Sequence, residues 1–133
     1  MRIDGACHGG SVAFEAEADT DTARICHCAD CQKMSGSLFR ANIQASSEGF
    51  RLPRGKPKIY ARIADSGARL AQAFCPDCGA GVYATQARNP ARYSLPVGTM
   101  TQRAIFRPTH QMWCQSALPW TAEVAGLEKR ERG

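Results

Sequence analysis

Seven cysteines are the residues of this sequence whose type and spacing could do chemistry: Cys7, Cys26, Cys28, Cys31, Cys75, Cys78 and Cys114. The segment 26–31 holds three of them, and the segment 75–79 has the CPxCG form of a knuckle, in which two thiolates converge on one metal. Thiolate-rich tetrahedral sites select zinc or iron–sulfur clusters. The spacing is unlike that of a ferredoxin, so zinc is the expected metal.

From spacing alone, the simplest arrangement is one zinc ribbon. Cys28 and Cys31 would pair with Cys75 and Cys78 in a four-thiolate structural site. That arrangement leaves Cys7 and Cys26 without a role. A CxxC pair can also be a redox dithiol, but no helical periodicity follows either pair here.

Length and composition predict one folded domain over residues 1–133, with a polar tail from about residue 123. Hydrophobic residues make up 44% and charged residues 22%, which argues against wholesale disorder. Apolar runs are too short for a membrane span, and the first residues lack the apolar core of a signal peptide. We therefore expect no membrane association and a cytoplasmic location, where clustered thiols indicate metal rather than disulfides.

The net charge of +5 gives little support to nucleic-acid binding. Thirteen of the 17 basic residues are arginines, and they are scattered from Arg2 to Arg132. A nucleic-acid interface would concentrate them on one segment with interleaved aromatic residues.

Short alternating segments between the cysteines predict strands, and therefore a mainly β domain. The clearest puts Val12, Phe14 and Ala16 on one face, and another points Leu70 and Phe74 inward. One helical turn is expected over residues 30–35. The predicted strands cover residues 11–17, 38–43, 58–63, 68–74, 81–85, 93–97 and 110–114.

Three motifs give the chain its resemblance to a known family. They are GACHGGSV at residues 5–12, CHCADCQKMSG at residues 26–36 and FCPDCG at residues 74–79, with weaker matches at 97–99, 108–110 and 118–120. Together they resemble the glutathione-dependent formaldehyde-activating enzymes and the related centromere-protein-V-like domains. The resemblance extends over residues 3–121.

The resemblance implies a different partition of the thiols and a specific fold. Structural zinc would be held by Cys7, Cys75 and Cys78, and a second, open zinc by Cys26, Cys28 and Cys31. One or two Zn²⁺ ions per chain are therefore expected. The implied fold is the family's β-tent, built of small antiparallel sheets around the cysteine knuckles.

One departure from the family pattern falls at Gly9, where the family has a second N-terminal cysteine. The structural site then has three obvious ligands. Water, an external thiol, His8 or, more remotely, Cys114 could complete it, or the site could bind metal weakly. Because side chains alternate along an extended chain, His8 is expected to point away from Cys7.

An open three-thiolate zinc has one position free for thiol or carbonyl, the layout of a catalytic site. The resemblance and this chemistry predict a carbon–sulfur lyase that acts on a thiol adduct of formaldehyde or of a related small aldehyde or imine. Glutathione is one candidate for the thiol. The alternative is a non-catalytic zinc module for protein or nucleic-acid interaction. A substrate-sized cleft beside the open site would favour the enzyme.

Residues around the motifs have less definite roles. His27 could face solvent or, less expectedly, support the ligands beside it, whereas Trp113 and Trp120 are expected in the core. Cys114 is expected to be a small buried side chain. Three polar residues after the triplet could hydrogen-bond to thiolates or to a substrate, or simply lie at the surface: Gln32, Lys33 and Ser35. Four arginines along the chain could contact carboxylates of glutathione: Arg40, Arg51, Arg62 and Arg69.

Overall fold

The computed structural model describes residues 1–133. Its helices are α1 (Ala29–Ser35) and three 3-10 helices at Val97–Thr99, Cys114–Ser116 and Pro119–Gly126. None of them is both long and apolar enough to cross a membrane. The strands are β1 (Arg2–Ala6), β2 (Ala13–Cys26), β3 (Arg40–Ser46), β4 (Arg51–Arg54), β5 (Lys58–Ile63), β6 (Arg69–Phe74), β7 (Gly81–Gln86), β8 (Arg92–Pro96) and β9 (His110–Met112).

The 14-residue strand β2 organises the sheet. It pairs with β1 and β4 along its first half and with β3 along its second half, all antiparallel, and β9 lies parallel to its last three residues. The strands follow the order β1-β2-β3-β8-β7-β6-β5, so β5 is an edge strand. Because β2 ends at Cys26, the pairing of β3 and β9 with its last residues fixes the position of that thiol.

One face of the sheet carries the hydrophobic core. Fifteen buried residues pack there, with Phe14, Ile43, Leu95 and Met100 among the largest side chains. Burial of these apolar surfaces is the main favourable term in folding. Gly5 lies directly opposite Phe14 in the β1–β2 ladder. A Cβ on Gly5 would collide with the Phe14 ring and with the Thr99 carbonyl oxygen, so the space that a side chain would need is already occupied.

The opposite face of the sheet is polar and concave. Asn42 on β3 and Gln72 on β6 are buried there, at 4% and 3% exposure. Arg40 Nη1 donates a hydrogen bond of 3.1 Å to Gln72 Oε1, although β8 and β7 lie between their strands in the sheet order. Side chains three strands apart can meet only if the sheet curves, and the curvature encloses a pocket.

The mainly β prediction is confirmed, and the predicted segments 58–63, 68–74, 81–85 and 93–97 correspond to β5 to β8 within one residue at each end. The predicted burial of Val12, Phe14 and Ala16 is also confirmed. Strands β1 and β4 and the second half of β2 were missed. A proline lies inside Arg51–Arg54, and charged residues interrupt the apolar alternation over residues 15–24, so neither segment has the sequence pattern of a strand. Pairing with neighbouring strands, and not local propensity, stabilises both segments.

Two expectations about buried side chains are wrong. Leu70 and Phe74 are only half-buried, because β6 places Ala73 in the core and Gln72 in the concave pocket. Trp113 and Trp120 are about half exposed. Trp113 also has a φ of 56°, where it begins the turn into a 3-10 helix.

Candidate metal centres

The structure brings six of the seven cysteines into two separate groups. Cys7, Cys75 and Cys78 form one, and Cys26, Cys28 and Cys31 form the other; within each, all sulfur atoms lie within 4.8 Å of one another. Cys28 and Cys31 do not share a group with Cys75 and Cys78, so the single-ribbon arrangement is not the one adopted. The grouping matches the partition that the family resemblance implies, and metal binding by the two groups stays a prediction.

The first group, called here the triplet site (Cys26, Cys28 and Cys31), forms where β2 ends and α1 begins. Cys26 is the last residue of β2, Cys28 caps α1, and the backbone N–H of Cys31 donates to the Cys28 sulfur at 3.3 Å. Cys26 and Cys31 are buried and Cys28 is half-buried. The strand end and the helix start therefore fix all three thiols without long loops.

His27 supports the triplet site from within the protein, a role that the sequence left uncertain. Its side chain is 1% exposed and packs edge-on against Phe39, at 5.7 Å between ring centroids. Its Nε2 lies 2.7 Å from Gln111 Oε1 on β9. Gln32 Nε2 donates to the backbone carbonyls of His27 and Ser116, so it ties the segment between Cys26 and Cys28 to the 3-10 helix Cys114–Ser116. Gln32 makes no hydrogen bond to a thiol.

The second group, called here the knuckle site (Cys7, Cys75 and Cys78), joins the β1–β2 turn to the β6–β7 turn. Val12 N–H donates to the Cys7 sulfur at 3.3 Å, and the Ser11 hydroxyl lies 3.2 Å from the Cys75 sulfur. Cys7 and Cys75 belong to the hydrophobic core, whereas Cys78 is exposed. The two sites differ in this respect, because no residue of the triplet site is part of that core.

Gly9 lies where a fourth ligand of the knuckle site would be. Residues 7–10 form a tight turn closed by the Gly10 N–H and the Cys7 carbonyl, so the expectation of an extended chain there is wrong. Gly9 N–H nevertheless donates to the Cys78 sulfur at 3.4 Å, and a Cβ on Gly9 would lie 3.8 Å from that sulfur. His8 is exposed and lies outside the group.

The thiols of the two sites differ in how readily they ionise. Burial raises the pKa of Cys7, but the Val12 N–H and the neighbouring Cys75, Ser11 and Cys78 groups outweigh burial and lower it to about 6. Burial raises the pKa of Cys31 to about 12, although the positive charge of Arg40 lowers it. The neighbouring thiols of Cys28 and Cys26 raise it further. Burial raises the pKa of Cys28 as well, but the Cys31 N–H and the neighbouring thiols outweigh burial and lower it, so the thiols of the triplet site differ in acidity. A divalent cation would stabilise all three thiolates together.

The donor sets fit zinc in size as well as in chemistry. Zn–S bonds of about 2.3 Å place two thiolates of a tetrahedral site about 3.8 Å apart. Sulfur atoms within 4.8 Å of one another can reach that spacing with small adjustments. Each site supplies three thiolates, so each would leave one position on the metal for another ligand.

Cys114 belongs to neither site, which corrects both expectations for this residue. It is exposed and begins the 3-10 helix Cys114–Ser116, so it is not a small buried side chain. Its sulfur is not grouped with those of the knuckle site, and Cys114 is therefore not the missing ligand.

A pocket of about 370 Å³ on the concave face opens onto the triplet site. Cys26 and Cys31 line it, together with side chains from β3 and from β5 to β8. A second cavity of about 700 Å³ adjoins it and shares Arg40, Asn42 and Gln72. Two thiols of the triplet site thus face a space of ligand size.

A curved, mainly antiparallel sheet with two three-cysteine groups, one of them facing a pocket, defines a small β domain whose cysteine groups could hold metal ions. The family model for glutathione-dependent formaldehyde-activating enzymes matches residues 2–116, which include all six grouped cysteines. The chain belongs to that family.

The fold also resembles that of a solved protein from Rhodobacter sphaeroides. The two chains are 22% identical, with a TM-score of 0.63, and the similarity covers 82% of this chain and 99% of the other. At this identity the likeness supports the fold alone. No curated protein sequence matches the chain significantly.

Gly9→Cys should strengthen metal binding at the knuckle site. Gly9 does not have a positive φ, and its Cβ direction brings a side chain into ordinary contact with Cys78, so a thiol there adds a fourth ligand without backbone strain. Because metal that binds only the folded state stabilises it, we expect tighter zinc binding and a melting temperature higher by about 3–8 °C, equivalent to roughly 1–2 kcal/mol.

Gly9→Ala is the matched control, because it adds the Cβ without the thiol. Thermal melts and zinc titrations against a competing chelator would compare the three proteins. Equal zinc affinity in the cysteine and alanine variants would contradict the assignment of this position to the site.

Proposed function

We propose that this chain is a zinc-dependent carbon–sulfur lyase that acts on a thiol adduct of formaldehyde or of a related small aldehyde or imine. The triplet site is its reactive centre, and Cys7, Cys75 and Cys78 hold a second, structural zinc. The observation that carries the proposal is that Cys26 and Cys31 line a pocket large enough for a small substrate. A non-catalytic zinc module would have no need of such a pocket, so the pocket favours the enzyme. Its free thiols suit the reducing cytoplasm, where we place it.

The reaction forms or breaks one carbon–sulfur bond. In the forward direction the thiol sulfur bonds to the carbonyl carbon, and the thiol proton passes to the carbonyl oxygen; lysis is the reverse. A metal held by three thiolates supplies one open position for a thiol or a carbonyl. The protein supplies a pocket that places both reactants together, which by itself lowers the barrier.

Charges around the triplet site suit this chemistry. A divalent ion with three thiolates has a net charge of −1, and Arg40 lies opposite Cys26 in the β2–β3 register. Directly opposite residues place their side chains on the same face of the sheet. Arg40 would therefore balance the charge of the metal-loaded site from the pocket side, and the half-buried His27–Gln111 contact holds the segment between Cys26 and Cys28.

Metal analysis and a turnover screen test the proposal. Purified protein should contain up to two zinc ions per chain, and a screen of aldehyde–thiol adducts and imines should find a substrate whose cleavage stops when zinc is removed and resumes when zinc is restored. Loss of all zinc with unchanged turnover would refute zinc dependence. Zinc at both sites without turnover of any adduct would favour the non-catalytic module.

A further inference from the structure

The pocket beside the triplet site is lined by basic side chains and by no acidic one. Arg24, Arg40, Arg62 and Arg92 reach it from four different strands. Asp30, on α1, pairs with Arg62 Nη1 at 3.1 Å but does not line the pocket. Three arginines of the lining therefore have no carboxylate partner. The pocket has a positive electrostatic potential that favours an anion.

Two buried donors of the same pocket have no partner. Gln72 is 3% exposed, and its Nε2 makes no hydrogen bond; Arg62 Nε is likewise buried and unpaired. The Gln72 amide cannot simply be reversed, because its Oε1 already accepts from Arg40 Nη1. Buried polar groups in native proteins are nearly always paired, so unpaired donors at one pocket indicate a ligand with acceptor atoms.

We propose that this pocket binds an anionic oxygen group of the substrate, a carboxylate or a phosphate, through Gln72, Arg62 and Arg40. Planar guanidinium and amide donors suit the paired oxygens of such a group. The inference rests on the proposed function, and it narrows the substrate to adducts that carry their own negative charge.

The distance between charge and reacting atoms is also limited. Arg40 and Cys26 face each other across the β2–β3 ladder, where opposite Cβ atoms lie about 5 Å apart. Cys31 lines the same pocket of about 370 Å³. The anionic group of the substrate and its sulfur or carbonyl carbon therefore share one small pocket, which suits a short mercapto acid.

Calorimetry with zinc-loaded protein tests this without requiring turnover. The probes are 3-mercaptopropionate, its neutral methyl ester and the longer 6-mercaptohexanoate, with inorganic phosphate in a separate titration. We expect the short acid to bind at least tenfold more tightly than the ester and more tightly than the long acid. Tighter binding of phosphate than of the acid would identify the group as a phosphate. Equal affinity for the acid and the ester, with no binding of phosphate, would overturn the proposal.

Gln72→Glu is the most direct variant, because it keeps the shape and the acceptor for Arg40 but replaces the unpaired donor with a negative oxygen. It should weaken binding of the short acid at least tenfold and leave binding of the ester unchanged. Gln115→Glu, with the same charge change at an exposed residue outside the pocket, is the control. Arg40→Gln is a second variant, and Arg51→Gln, at an exposed residue, is its control.

Failure of this inference and failure of the proposed function give different results. If Gln72→Glu and Arg40→Gln bind the acid as the parent does, the anion pocket is refuted even when zinc-dependent turnover is found. If the acid binds in a Gln72-dependent way but no adduct is turned over, the anion pocket stands and the lyase function fails.

Discussion

Replacing Cys31 with serine is expected to lower turnover at least 100-fold while the protein stays folded. Residues that merely orient metal ligands affect affinity or activity by about 10–100-fold, and Cys31 is itself a proposed ligand. Its sulfur faces the pocket, and it lies outside the hydrophobic core cluster, so its loss should spare packing. The variant should also contain one zinc ion fewer per chain.

The measurement combines a rate assay, metal analysis and circular dichroism on the same sample. Cys114→Ser is the matched control, since that thiol is exposed and outside both sites. Global unfolding of Cys31→Ser would show that the triplet site is structural. Full activity with unchanged zinc content would remove Cys31 from the reactive centre.

Replacing Cys75 with serine should have the opposite outcome, a large loss of stability. Cys75 is completely buried in the hydrophobic core, and a structural zinc contributes directly to folding free energy. A serine there loses a ligand and buries a hydroxyl, so we expect destabilisation of about 3 kcal/mol or more and a melting temperature lower by roughly 10 °C.

Thermal melts with and without added zinc would measure this effect, again with Cys114→Ser as control. Added zinc should stabilise the parent more than the Cys75 variant, because the variant retains only two thiolates at the knuckle site. If both proteins melt at the same temperature and hold the same zinc, the knuckle site does not stabilise the fold.

The sequence by itself predicted the candidate metal ligands and much of the β structure. Short spacings within 26–31 and 75–78 indicate metal because neighbouring thiols in a tight turn can reach one ion whatever the rest of the fold does. Alternation of Val12, Phe14 and Ala16 predicted a buried strand face correctly, because the two-residue period of a strand is local information. The family motifs then indicated that Cys7 belongs with Cys75 and Cys78, as the structure has it. Spacing alone had instead paired Cys28 and Cys31 with Cys75 and Cys78.

Only the tertiary structure decided what surrounds the triplet site. Gln72 reads as a polar residue between apolar ones in β6, and nothing local shows that sheet curvature buries it against Arg40. Arg24 and Arg92 were not singled out in the sequence, whereas Arg51 and Arg69, which were, lie outside the pocket. The pocket forms because the curved sheet brings Arg40 on β3 to Gln72 on β6, which is 32 residues later in the chain. A long-range contact of that kind leaves no periodic signal in the sequence.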